Sequence, residues 1–367
     1  MTGKRTRSYM DDSEDAVRSE EEEDFAEQTP KASSRGVKRK TKSLSRTSTP
    51  SLASSSAASG ASSPIKKIRY AATQDSGFEH RRFINNLHLL PSSLKTLRQD
   101  LVDIRNGESL IPLTLREELR NLDTDVPRYA FYDPTVEASR WRVPAISLAK
   151  KIVDSASKCE DYHHGEASWN IEVHRCVLDF AFRDSGDIYV GDYRYCTGAH
   201  ILQEYKPIKA SSKCVDFCIC IEPSKLSIEQ QKIQEIKNTR PGLSINHTDW
   251  GDLCINPIVL SIETKRQVDW DKAMLQIGTW HSAQWRALGR VNAIEFLPGL
   301  VVQGHKWNFV ASTLENGKLW LNHKVEIGST ESLWEVYKLL VSLQCLGYWI
   351  RDGYWPAFRS DILNLPV

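Results

Sequence analysis

The sequence contains no Cys-x-x-Cys pair, no apolar run near the roughly 18 residues that span a bilayer, and no tryptophan before Trp141. Each absence excludes something. Without paired cysteines or a second Cys/His group at zinc-finger spacing, the eight cysteines read as reduced core thiols, as in an intracellular protein. Cys214, Cys218 and Cys220 crowd into one strand-like run, where alternation puts them on one face. Without a long apolar run no membrane span is expected, and the Met1 to Met10 region is too polar for a signal peptide. The scarcity of early aromatics locates the core. All eleven tryptophans lie from Trp141 onward, and the first aromatic-rich stretch opens near Tyr129, so a substantial core can form only in the later part.

A formal charge of +1 conceals a separation of signs. An acidic block (Asp11, Asp12, Glu14, Asp15, then Glu20 to Asp24) precedes a basic one (Arg35, Lys38, Arg39, Lys40, Lys42, Arg46). Net charge is therefore uninformative about partners, while the blocks are not. Residues 1–76, with the Ser51 to Ser63 tract, offer almost nothing apolar to offset the entropy of ordering and read as a disordered arm. Its basic clusters, Val37 to Lys40 and Ile65 to Arg69, are of the kind that importins or nucleic-acid phosphates bind. A nuclear location is the expectation; a solvated charge run is the alternative.

Residues 77–155 read as a helical lead-in, with Leu87, Leu90, Leu94, Leu97, Leu101 and Ile104 at helical spacing and a helix over Ile146 to Ser155. From residue 156 to about 360 the pattern alternates. A core helix is expected over Glu166 to Phe182, and strands over Ile188 to Tyr193, Gly198 to Tyr205, Lys213 to Ile221 and Ile255 to Thr264. A polar helix, Ser227 to Lys237, lies between the last two. There follow a helix Trp270 to Leu288, strands Gly299 to Gly304 and Trp307 to Thr313, and a terminal helix Ser332 to Trp349. The class is α/β or α+β.

Chemistry concentrates in two strands. Asp216 sits among apolar neighbours, and Glu263 and Lys265, two apart, share a strand face. An acid and a lysine leaving a hydrophobic strand together sit awkwardly in a core. They suit a site in which Asp216 and Glu263 hold a hard divalent cation and Lys265 stabilises charge on a phosphate. A partly buried ion pair is the competing reading. His163-His164 near Cys159 read as a surface loop, Asn246 to Asp249 as a turn, Arg286 and Arg290 as a solvated face, and Trp280, Trp285 and Trp307 as core.

The order of an acidic helix, an Asp on one strand, Glu263-Thr264-Lys265 on the next, and a helix with Gln276 and Trp280 one turn on resembles the PD-(D/E)xK, or restriction-endonuclease-like, superfamily. More closely, EASWNIEVH, KCVDF, PIVLSIETK, GHKW and the terminal helix resemble a fungal nuclease-like family, over roughly residues 85–360. Some members of that family are encoded among secondary-metabolite genes. The resemblance implies a central mixed sheet flanked by helices, magnesium or manganese as cofactor, and nucleic acid as partner. It implies catalytic roles for Asp216, Glu263, Lys265 and Gln276, with Glu166 or Glu172 joining Asp216 and Glu263 at the metal. Val215 stands where the superfamily has proline, and 47 positions (263 − 216) separate Asp216 from Glu263, so the helix between them is an insertion. Three functions compete: a magnesium-dependent nuclease, a nuclease-fold protein that binds without cutting, and an accessory or tailoring protein of metabolite biosynthesis.

Overall fold

A computed structural model describes residues 63–122, 126–184, 191–208, 210, 215–266 and 269–366. Most of the expected arm, including the Val37 to Lys40 cluster, lies outside the described residues, as do Lys213, Cys214 and most of the expected strand before Tyr193.

The second basic cluster is helical. Helix α1 (Pro64–Ala72) starts at Ser63, whose Oγ accepts from the Lys66 amide at 3.4 Å, with Pro64 in the first turn. It turns Ile68, 6% exposed, into the core. So the arm assigned to residues 1–76 gives way to packed structure at Pro64. A chain starting at residue 77 should therefore be less stable than one starting at residue 63 by about 2 kcal/mol, the value of one buried isoleucine. Thermal unfolding of the two truncations tests this, and equal melting temperatures would show α1 to be a passive attachment.

Strand β1 (Phe78–Arg82) leads into α2 (Ser92–Asn106), whose Leu94, Leu97, Leu101 and Ile104 are buried. A two-residue strand β2 (Ile111–Pro112) pairs with β3 (Phe131–Tyr132), α3 (Arg116–Asn121) lying between them. Helix α4 runs Ile146–Asp161, longer than expected. The expected core helix is present as α5 (Glu166–Trp169) and α6 (Arg175–Leu178), joined and followed by π-helical turns. These segments and the later sheet share one continuous core, so the lead-in is packed into the body of the fold.

Seven strands form a mixed sheet in the order β1-β9-β8-β7-β6-β5-β4: β4 (Asp192–Tyr195), β5 (Phe217–Cys220), β6 (Ile258–Lys265), β7 (Leu297–Gln303), β8 (Lys306–Glu315) and β9 (Lys318–Ser329) complete it. Pairs β1/β9 and β6/β7 are parallel, and the rest are antiparallel. The strand expected over Gly198 to Tyr205 is instead turns. Between β5 and β6 lies α7 (Ile228–Lys237), capped by Ser227. The two strands nevertheless pair directly, Phe217 against Ile262, so α7 is carried as an insertion outside the ladder.

Helix α8 (Trp270–Leu288) packs against β6 and β7, and α9 (Leu333–Trp349) against β9. The chain continues through a π turn into α10 (Trp355–Asp361). Close approach of α8 depends on Gly299 of β7, where a Cβ would stand 2.6 Å from Ile277 Cδ1 and 3.1 Å from His281 Cε1. Among the described residues no helix is long and apolar enough to cross a membrane, and the described cysteines are all free.

Candidate active site

Antiparallel pairing aligns the candidate residues. With Cys218 opposite Ser261 and Phe217 opposite Ile262, Asp216 comes one step further, level with Glu263. Alternation along β6 gives Ser261, Glu263 and Lys265 one face. The end of β6 is fixed from its start: Asn246 donates to the Leu253 and Asn256 carbonyls at 2.6 and 2.8 Å and accepts from the Ile258 amide at 3.0 Å. The segment Asn246 to Thr248, which reads in sequence as a turn, is thus a buried polar clasp.

Asp216 is buried, and its Oδ2 accepts from both the Thr264 amide (2.8 Å) and the Thr264 hydroxyl (2.9 Å). Glu263 is 0% exposed. Lys265 Nζ stands 2.5 Å from Glu263 Oε1, 3.2 Å from Glu166 Oε1 and 2.6 Å from the Thr264 carbonyl, to which it donates. The Glu263 contact is a close ion pair made through Oε1, and the other oxygen, Oε2, has no donor.

The electrostatics follow from this packing. Burial, reinforced by the Asp216 charge, raises the Glu263 pKa well above the carboxylate range despite Lys265. Burial also raises Asp216, with the Thr264 hydrogen bonds and Lys265 opposing. For Lys265, burial disfavours the cation, but Glu263, Asp216 and Glu166 together outweigh it and raise the pKa. The cluster therefore holds more acid than one ammonium can neutralise.

Of the residues expected from sequence, Asp216, Glu263, Lys265 and Glu166 are joined by these contacts and charges. Glu172 is exposed, and its charge bears on the Cys159 thiol rather than on Lys265. Gln276 is half-buried in α8, one turn before Trp280. Trp280 itself packs with Val215, Cys218 and Cys220. Trp280 and Trp307 are fully buried, and Trp285 Nε1 donates to Ser312 Oγ. These are core residues. Thr264, the residue that fixes Asp216, does not stand out in the sequence; its one signal there is a β-branched hydroxyl between the two chemical residues.

A magnesium-sized cation takes one or two carboxylates and completes its shell with water and phosphate oxygens. Glu263, whose buried Oε2 lacks any donor while Oε1 meets Lys265, and Asp216 beside it fit that requirement; a buried polar atom without a partner calls for such an explanation. Among the described residues no three His, Cys, Asp or Glu side chains converge as a closed metal cage. An open, two-carboxylate site is what the residues offer.

A family model of the PD-(D/E)XK nuclease superfamily matches residues 116–355, well over half of the chain, and the chain belongs to that superfamily. The match reaches the superfamily and does not carry the narrower fungal group. No curated protein and no solved structure matches the chain.

Proposed function

We propose that the protein is a magnesium- or manganese-dependent phosphodiesterase acting on nucleic acid. The observation that carries this reading is Glu263, a fully buried carboxylate whose Oε2 has no donor, level with Asp216 and ion-paired through Oε1 to Lys265. Asp216 and Glu263 would hold the cation, which when bound supplies Lewis acidity to a phosphodiester. Thr264 holds Asp216 in place through two hydrogen bonds. Lys265 keeps a positive charge where charge accumulates on the phosphate, and Glu166 orients its ammonium.

Metal binding to the folded state alone should raise stability by about 2.7 kcal/mol at a hundredfold excess over Kd. We expect manganese and magnesium to raise the melting temperature of the wild type but not of Glu263→Gln or Asp216→Asn, and labelled DNA or RNA to be cleaved only with metal. A wild type whose unfolding is indifferent to both metals would end this reading. One feature favours a nuclease-fold binding protein that does not cut: Lys265 is already engaged by Glu263, Glu166 and the Thr264 carbonyl, as in a structural ion network. Under that reading metal changes nothing.

A further inference from the structure

Resting on the nuclease reading, we propose that a cleft beside the acid and lysine cluster seats one unpaired nucleotide, making single-stranded nucleic acid or an unpaired end the substrate class. The cleft measures about 390 Å³ and is lined by Glu160, His164, Trp169, Arg266, Asp269 and Gly304, among others. That is the size of a small-ligand pocket and too small for a duplex.

Its position ties it to the chemistry. Arg266 follows Lys265 directly, and Trp169 lies one turn after Glu166, whose carboxylate contacts Lys265. The Gly304 amide donates to the Lys265 carbonyl at 3.0 Å. A nucleotide in the cleft would thus present its phosphate within one residue or one helical turn of Lys265.

The charges also divide in favour of a phosphate. Glu160 Oε2 lies 3.1 Å from His305 Nε2, and Asp269 lies 3.7 Å from Lys272. Of the two acids of the cleft, Asp269 is matched by a lysine, and Glu160 is held against the His305 ring. Arg266 is exposed, and among the described residues no carboxylate lies within ion-pair distance of it. A guanidinium in that state is suited to a phosphate.

A base needs a flat face. His164 lies against Tyr162 with ring centroids 6.1 Å apart and planes at 29°, and Tyr162 is 73% exposed. Of the pair, His164 lines the cleft, and Tyr162, just past the end of α4, stacks on it from outside the lining. Bases of a duplex are already paired and stacked, whereas an unpaired base offers its face to such a pair.

The test uses the full-length protein, a fluorescent strand of about ten nucleotides as DNA and as RNA, and the corresponding DNA duplex, all with a chelator present. Stacking strengths measured for aromatic platforms give the scale. The wild type should bind strand more tightly than duplex, and Tyr162→Ala with His164→Ala should weaken strand binding about tenfold while leaving duplex binding unchanged. Arg266→Gln should flatten the dependence of log K on log salt by about 0.7, the loss of one single-strand phosphate contact. The DNA and RNA arms show which strand is preferred. Equal binding of strand and duplex, wild-type affinity in the aromatic double variant, an unchanged salt slope, or no binding at all would each overturn the proposal. Because no metal is present, the readout stands apart from the metal titration of Glu263 and Asp216. Either can fail while the other holds.

Discussion

Replacing Lys265 with alanine is expected to lower turnover on nucleic acid by a hundredfold or more while changing metal affinity little. The size is that of one electrostatic stabiliser, on the order of 3 kcal/mol. On the proposed function, the division between turnover and binding follows from position: Asp216 and Glu263 would supply the metal's oxygens, and Lys265 would supply charge. Stability should respond in a diagnostic way. Loss of Lys265 removes a group that holds the Glu263 pKa down, so that pKa, already raised by burial, rises further. An acid whose folded pKa lies above its unfolded one contributes stability that is present below the unfolded value and lost as pH rises through the folded value. The deficit of Lys265→Ala relative to wild type should accordingly be flat at acid pH and grow as pH rises through the raised folded pKa of the wild-type Glu263, above which the variant must hold a proton there or an uncompensated buried charge. Steady-state kinetics and thermal unfolding across that range check both parts. A variant that keeps wild-type kcat, with a deficit independent of pH, would leave Lys265 as an ordinary structural cation.

Part of this site and its frame is legible in the amino-acid sequence. Apolar positions recurring at helical spacing over five turns predict α8 over Trp270 to Leu288, the bounds it has. The shared face of Glu263 and Lys265 follows from strand alternation alone. The Glu263 environment is not legible, because it depends on Phe217 aligning with Ile262 across an insertion whose length conceals the pairing. Strand β9, the longest in the sheet, is hidden for a different reason. Lys318, Asn322, His323, Lys324 and Glu326 make it read as polar, and Asn322 among them is satisfied within the fold: it donates to the Ala311 carbonyl and accepts from Arg81 Nε. The strand expected at Gly198 to Tyr205 fails in the opposite direction. Ala199 and Ile201 are buried, but by packing within turns. His164 reads in sequence as part of a surface loop, and only the fold shows that the loop borders the cleft beside Arg266.

Replacing His281 with leucine is expected to make the protein progressively more stable than wild type as the medium is acidified. His281 is fully buried on α8 against Gly299, with no partner on either ring nitrogen, and burial lowers its pKa from 6.5 to about 3. His247 behaves similarly: it is buried edge-on to Trp280, with ring centroids 4.2 Å apart, and burial plus the neighbouring His281 lower it to about 3. A group with a depressed folded pKa contributes stability that is present above its unfolded pKa and lost as pH falls toward the folded value. The window for His281 therefore runs from 6.5 down to about 3. Each pH unit within it favours the unfolded wild type by about 1.4 kcal/mol, and leucine, which has no proton to take up, escapes this. Near pH 7 the swap should be close to neutral, since it exchanges two unpartnered buried nitrogens for apolar volume. At pH 5 the variant should lead by roughly 2 kcal/mol. Glu263 works in the opposite sense in both proteins, since its raised pKa favours the folded state as pH falls, so it cancels in the difference between variant and wild type, which reports His281 together with its effect on His247. Denaturant unfolding of the two proteins at pH 7, 6 and 5 measures it. Parallel stability curves would mean that His281 takes up its proton within the fold, and that the space beneath α8 is polar enough to solvate an imidazolium.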